Sequence, residues 1–247
     1  MLIKPSDKVI PKSGRKQNLL LIIGFVFFWN TGFIGAEYAL PDTAPFTLMF
    51  WRYLAITLIL LVYLKFQNRL QWVGWAKTIP NMIVGLLAHG AWLSCVLLAL
   101  EREVPAGIVA LVVALQPLAT GAFSGIVVGE PTPWYRWLGL IVGFGGVAAA
   151  VLPRIDFNTP VSIFGYLIPL GSVIAITAAT LIQRKIDIGN KKSHFSLGLS
   201  MFYQSLGTVI VVAVPAILWE NLSTTWSSTF ITSMAWLVVA VSFGAYA

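Results

Sequence analysis

The chain has 247 residues, of which 58% are hydrophobic and only 10% are charged, and its formal net charge at pH 7 is +7. A soluble domain of this length needs far more polar surface, so the composition excludes that class and indicates a membrane protein. Strand-like alternation of apolar and polar residues is absent, which argues against a barrel. Helices remain as the way to satisfy the backbone in lipid.

Eight apolar runs follow one another, each about 18–25 residues long, the length that a helix needs to cross ~30 Å of hydrocarbon. They predict membrane-spanning helices over Leu19–Tyr38, Thr43–Leu64, Ile79–Leu100, Val104–Val128, Trp134–Leu152, Ser162–Ile182, Phe195–Leu218 and Phe230–Ala247. A basic tail, residues 1–18, precedes the first run and resembles the start of a signal peptide. Because seven more runs follow, we expect a cytoplasmic tail and a retained first helix.

Lysines and arginines crowd into every second loop. With the N-terminus inside, five lie in the tail, three after the second helix, one after the fourth and four after the sixth. The remaining three, Arg52, Arg102 and Arg154, fall at the outer boundary. This asymmetry predicts a multi-pass protein with a cytoplasmic N-terminus. No compact basic face remains once the loops are separated, so nucleic-acid binding is not expected.

A short internal match indicates a repeat. Phe46-Thr47-Leu48 corresponds to Phe195-Ser196-Leu197, and each triplet opens the second helix of its half. Five helices per unit would insert the two copies in opposite orientations, a common transporter design. We therefore expect a first repeat over 19–152 and a second over 153–247. The second has three spans and stops inside an apolar run, so we expect a truncated copy, with about eight of ten helices present.

Four segments resemble a known family. They are FFWNTGFIGAEYAL in the first helix, PFTLMFWRYLA in the second, VPAGIVALVVALQPLATGAFSGIVVGE through the fourth and GLIVGFGGVAAAVL in the fifth. Together they resemble the EamA-type permeases of the drug/metabolite transporter superfamily, and the resemblance covers about Leu19–Leu152. It implies an all-α membrane bundle of two inverted five-helix repeats. It also implies a carrier that exports small metabolites across a bacterial inner membrane, without naming the substrate.

Polar residues at membrane depth are costly and are often functional. His89, in the middle of the third helix, is a candidate for proton or substrate contact, the alternative being a packing hydrogen bond. Glu37 and Arg52 are expected to form a pair near the outer side. That pair is either a structural ion pair or part of a gate or anion contact.

Further candidates lie along the helices. Asn30 can bind substrate or a neighbouring helix, and Gln204 is a polar counterpart in the second half. Gln116 precedes Pro117, which leaves a backbone carbonyl near residue 113 without its helical donor. That carbonyl and the Gln116 amide could line a cavity; alternatively, the proline kink only shapes the bundle. Trp29 and Trp92 lie deep enough to wall a site for a flat substrate, the alternative being lipid-facing or packing roles.

Glycines recur at every fourth residue on the fourth and fifth helices, at Gly121, Gly125, Gly129, Gly139 and Gly143. That spacing predicts a tight hairpin or a homodimer face. No phosphate-binding loop, nucleophile motif or metal-ligand cluster occurs, so we expect no enzyme and no cofactor.

The sequence therefore predicts a secondary transporter for a small metabolite or drug-like solute. It would export that solute by alternating access, with protons coupled through His89. The alternatives are a nucleotide-sugar or organic-anion antiporter of the same superfamily and a non-transporting accessory protein. The lipid bilayer and a small-molecule substrate are the expected partners.

Overall fold

The computed structural model describes residues 12–129, 133–154, 163–189 and 196–243. Most of the predicted tail and Phe195 of the repeat match lie outside these residues. The helices in the described part are α1 (Lys12–Ala39), α2 (Pro45–Phe66), α3 (Trp75–Glu101), α4 (Ala106–Val128), α5 (Trp134–Val151), α6 (Ile163–Gly189), α7 (Leu197–Leu218) and α8, an α-helix over Ser228–Ala235 that continues as a π-helix over Trp236–Phe243.

The predicted all-α bundle is confirmed, and each predicted span overlaps one helix. Five helices, α2, α3, α4, α6 and α7, are long and apolar enough to cross a membrane. Large apolar side chains are exposed along the outside of the bundle, among them Ile126, Ile141 and Ile174. Such a surface suits lipid rather than water. The polytopic membrane class therefore follows from the structure as well as from composition.

Helices of the first five pack against helices of the last three. The most extensive contact joins α3 and α6, while α2 and α3 both lie against α7, and α1 lies against α8. Helix α4 packs on α6, and α5 contacts the described residues chiefly through α4. Helices α2, α3, α6 and α7 are therefore the most closely packed part of the bundle, and α5 lies at its edge.

Two helices contain π-helical segments, where the turn widens by one residue. These segments are Leu86–Ala91 in α3 and Trp236–Phe243 in α8. Their first residues lie 150 positions apart, and each belongs to the third helix of its half. π-Helical turns are rare and occur frequently at functional sites. The recurrence supports the predicted repeat, which stays a prediction.

Helix α4 is interrupted, as the proline predicted. One α-helical segment ends at Val113 and the next begins at Gln116, with Pro117 in its first turn. Proline has no N–H to donate to the residue four positions earlier, and its ring crowds that carbonyl. The break divides α4 into two shorter helices.

Glycines bring α3 and α7 into backbone contact. A Cβ on Gly85 would overlap the backbone of Gln204, and a Cβ on Gly207 would lie 2.7 Å from the Cβ of Met82. On the predicted α4–α5 hairpin, a Cβ on Gly143 would overlap the side chain of Leu118. A Cβ on Gly121 or on Gly139 would meet no atom within 4 Å. The backbone contact between α3 and α7 was not indicated by the glycine spacing, and the homodimer face stays a prediction.

Candidate functional site

A cavity of about 50 Å³ lies between α1, α2, α3, α7 and α8. One water needs roughly 10–15 Å³ by this kind of measure, so the cavity has room for more than one water molecule. Its wall is mostly apolar, with a few polar groups, and consists of Trp29, Gly32, Phe33, Ala36, Arg52, Tyr53, Ile56, His89, Trp92, Leu93, Val96, Met201, Ser205, Val241 and Ser242. Such a lining is typical of small-molecule sites.

Arg52 supplies the positive charge of the wall. Its side chain is 8% exposed, and both Nε and Nη2 donate to the hydroxyl of Ser242, at 3.3 and 3.0 Å. The guanidinium lies 5.7 Å from the ring centre of Tyr53. Ser242 in turn donates to the carbonyl of Leu237, 2.9 Å away, within the π-helical segment of α8. Arg52 therefore links α2 to the irregular part of α8.

His89 lies in the π-helical segment of α3, beside Arg52. Its ring is 5.3 Å from that of Tyr53, with the planes tilted by 33°, and it hydrogen-bonds the side chain of Gln204. Gln204 also donates to Gln183 on α6. His89 is therefore held from two neighbouring helices while it faces the cavity.

Trp29 and Trp92 form one wall. Their rings are stacked with centres 5.3 Å apart and planes 24° apart. The indole N–H of Trp92 is buried and has no hydrogen-bond partner. A buried indole N–H usually finds a partner, so an unsatisfied donor in a side chain of the cavity wall is unusual.

Three predicted side chains lie away from the wall. Asn30 is exposed and donates to the carbonyl of Val26 in its own helix, 2.7 Å away. Glu37 is exposed, and the expected pair with Arg52 is not formed in the described part of the chain, because Arg52 turns towards Ser242 instead. Gln116 joins α4 to α6 through Thr180, at 3.5 Å, and the carbonyl near residue 113 does not reach the cavity either.

Gln204 is displaced by one residue from the wall itself. Helix α7 presents Met201 and Ser205 to the cavity, four positions apart and hence on one face. Gln204 lies on the neighbouring face of α7 and hydrogen-bonds His89 from there.

Two further wall residues, Tyr53 and Ser242, were not predicted from the sequence. The pattern of α2 could have suggested Tyr53, since it adjoins Arg52, whereas nothing near Ser242 distinguishes it from other helical serines.

A second polar feature lies at the end of the bundle where α2 begins. Helix α2 begins after Ala44, which offers no side-chain acceptor to its first turn. The carboxylate of Glu220, from the loop after α7, accepts instead from the N–H of Phe46 at 3.1 Å and of Thr47 at 2.6 Å. It also accepts from the hydroxyl of Thr47 at 2.8 Å. A carboxylate at a helix N-terminus satisfies free donors and complements the helix dipole.

The same two loops are joined at further points, and we call residues 42–47 and 220–227 together the clasp. Thr43 pairs with Thr224 in an isolated antiparallel bridge. The N–H of Thr225 donates to the carbonyl of Asp42 at 2.8 Å, and the hydroxyl of Ser227 donates to the Asp42 carboxylate at 2.6 Å. Trp51 extends the contact by donating to the hydroxyl of Thr224 at 3.1 Å. The clasp holds the α1–α2 loop to the α7–α8 loop.

Metal binding has little support in the described ranges, where no group of three or more His, Cys, Asp or Glu side chains is close enough to hold an ion.

Comparison with known proteins gives a consistent result. A profile of the EamA-like transporter family matches residues 17–152. The chain is 26% identical over 235 residues to the uncharacterized transporter YvbV of Bacillus subtilis, a match that spans 95% of this chain and 73% of that protein. It is 31% identical over 147 residues to the uncharacterized transporter sll0355 of Synechocystis, spanning 56% of this chain and 41% of that protein.

A third relative is the uncharacterized inner membrane transporter YedA of Escherichia coli, which is 27% identical over 137 residues. That match spans 54% of this chain and 44% of the relative, so the chain covers less than half of two of these three proteins. No solved structure matches the chain.

Proposed function

The chain belongs to the EamA-like transporter family of the drug/metabolite transporter superfamily, and from this premise we propose that it moves a small organic solute out of the cell by alternating access. Its relatives are named as transporters and not as enzymes. The bacterial inner membrane, the location in the name of one relative, is the proposed location here.

The cavity is the observation that carries this proposal. It lies between helices of the first five and of the last three, where a carrier of two repeats would hold its substrate. Arg52 is the eighth residue of α2, roughly 10 Å along the helix from its start at ~1.5 Å per residue. Since α2 has 22 residues, Arg52 lies about a third of the way along this helix from its start.

The charges suggest which end faces outwards. Acidic Asp42 and Glu220 lie in the clasp, whereas Lys65, Arg69 and Lys77 lie at the opposite end of α2 and the start of α3. Positive residues favour the cytoplasmic side. We therefore propose that the clasp is at the outer surface, that it is the closed outer gate, and that the N-terminus is cytoplasmic.

His89 is proposed as the proton-coupling residue. It shares the wall with Arg52, and a change in its charge would alter the field where the solute binds. Tyr53 from α2 and Gln204 from α7 also contact it. Substrate contact without proton transfer is the alternative role for this residue.

Transport can be tested in liposomes that contain the purified protein and are preloaded with a mixture of small metabolites. Mass spectrometry of the external medium would identify solutes that leave faster than from empty liposomes. We expect a few related solutes to leave faster, and fewer or none with an Arg52→Gln variant. Equal release from protein-containing and empty liposomes would contradict the proposal and favour a non-transporting accessory protein.

A nucleotide-sugar carrier is the weaker candidate. Such a substrate carries two phosphates, for which several cationic side chains are expected. Among the residues that line the cavity, Arg52 is the one with a permanent positive charge. A single charge suits a smaller anion.

A further inference from the structure

Arg52 lacks a carboxylate partner within the described chain. Both nitrogens that form hydrogen bonds use one neutral oxygen, that of Ser242. No Asp or Glu is found among the described residues of the wall. Glu37, the acid that connectivity placed nearest, is exposed at the end of α1. The cavity therefore carries a positive charge that the described chain does not neutralise.

A buried guanidinium is unfavourable unless an opposite charge and hydrogen-bond acceptors compensate for its lost hydration. A guanidinium has five N–H donors in a planar fork, and one hydroxyl oxygen cannot occupy them all. A carboxylate matches the fork with two parallel hydrogen bonds and brings the missing negative charge. The residue type and its burial together favour an anionic occupant over a neutral one.

Trp92 provides a second and independent observation. Its indole N–H is buried without a partner among the described residues, in a side chain that lines the cavity. The ring of Trp92 lies against Trp29, and Phe33, Ile56 and Leu93 complete an apolar surface around it. A ligand with one charged end and an apolar or flat body would satisfy both parts of the wall.

We propose that the cavity binds a small organic monoanion, with its carboxylate on Arg52 and the N–H of Trp92, and with its apolar body against the aromatic wall. The inference rests on the proposed transport function, of which it names the substrate class. Small cations are not expected to bind, because the charge of Arg52 repels them.

Three probes with the same ring and chain length separate charge from shape. Phenylacetate, phenylacetamide and phenethylamine carry negative, zero and positive charge, and their binding to the purified protein can be followed by calorimetry. We expect phenylacetate to bind at least about tenfold more tightly than the amide, the ratio that one charge-assisted contact gives. The amine should not bind.

Two variants test which side chains cause the preference for phenylacetate over phenylacetamide. Arg52→Gln should bring phenylacetate to the affinity of the amide, and Trp92→Phe should weaken it by a few-fold while the ring remains. If Arg52→Gln does not fold, Arg52→Lys keeps the charge without the fork and should retain a reduced preference. Equal binding of all three probes to the wild-type protein would overturn the inference, and so would a preference that survives Arg52→Gln.

The transport assay distinguishes the two proposals. Binding of phenylacetate by a protein that moves no solute would contradict the proposed function and leave the anion site intact. Selective release of neutral or cationic solutes would leave the transporter intact and overturn the anion site.

Discussion

The carboxylate of Glu220 caps the first turn of α2 by accepting from both the N–H and the hydroxyl of Thr47, although 173 positions separate the two residues. The start of α2 is therefore completed by the other half of the chain. The hydrogen bonds of the first turn of α2 therefore depend on the position of the loop after α7, which carries Glu220. Any movement that separates the two loops must first release these donors.

Replacing Glu220 with Gln should loosen the clasp. The amide keeps one acceptor oxygen but presents an NH₂ group to donors on the second side, so at least one hydrogen bond to Phe46 or Thr47 is lost. Since a hydrogen bond to a charged group contributes about 1.5–3 kcal/mol, the open population should rise about tenfold or more. A Ser205→Cys reporter in the cavity, made in a Cys95→Ala background, would show this as faster labelling by an impermeant thiol reagent from outside.

Glu37→Gln is the matched control for that experiment, because Glu37 is an exposed acid at the same end of the bundle that takes no part in the clasp. Its labelling rate should equal that of the parent. The gate assignment fails if Glu220→Gln labels no faster than Glu37→Gln.

A disulfide across the clasp should lock it. Thr43 and Thr224 are paired in an antiparallel bridge, where Cα atoms are about 4.5–5.5 Å apart, within the range that a disulfide spans. Thr43→Cys with Thr224→Cys, in the Cys95→Ala background, should stop transport when oxidised and restore it on reduction. Each single cysteine variant serves as the control. Undiminished flux in the oxidised double variant would mean that the clasp does not open during transport.

His89→Gln separates the two roles proposed for that histidine. The amide retains a polar group of similar reach but cannot take up a proton near neutral pH. If His89 couples protons, the variant should lose the response of solute flux to an imposed pH gradient while binding persists. The other histidine of the chain, His194, provides the control as His194→Gln. A variant that still follows the pH gradient would assign His89 to substrate contact or packing instead.

Gly207→Ala should separate α3 from α7. The added methyl group would meet the Cβ and backbone of Met82 at 2.7–3.0 Å, and backbone atoms cannot turn away. Overpacking of this kind costs about 1–3 kcal/mol, which thermal unfolding in detergent would show as a lower midpoint. Gly145→Ala, on α5, would meet no atom within 4 Å and should leave the midpoint unchanged or slightly raised. Equal midpoints for the two variants would show that α3 and α7 tolerate a wider spacing.

Hydropathy and charge predicted the helices well because lipid imposes one strong condition, that each spanning segment satisfies its own backbone. The break before Pro117 followed from the missing N–H in the same direct way. The close contact of α3 with α7 was not predicted. A glycine at position 85 or 207 reveals a close approach only when its neighbour is known, and the regular spacing on α4 pointed to a different pair of helices.

The site was predicted in part. Arg52, His89, Trp29 and Trp92 do line the cavity, since large or polar residues deep in apolar helices are costly anywhere else. Partners were harder to predict, because they depend on tertiary packing and not on distance along the chain. Glu37 is near Arg52 in sequence, yet Ser242, 190 positions away, takes its hydrogen bonds. Glu220 likewise had no local pattern that could indicate a cap for α2.

The cap that Glu220 provides to α2 also determines what opening of the clasp requires. When Glu220 leaves, the N–H groups of Phe46 and Thr47 need another acceptor, and the hydrocarbon core has none. Water is the acceptor at hand, so opening of the clasp is a hydration step and has to occur at the membrane surface. Solutes that are excluded from protein surfaces, such as sucrose, oppose the exposure of such groups. If the clasp is the outer gate, as proposed, osmotic stress on that side should favour its closed state, and the gate would respond to water activity as well as to substrate.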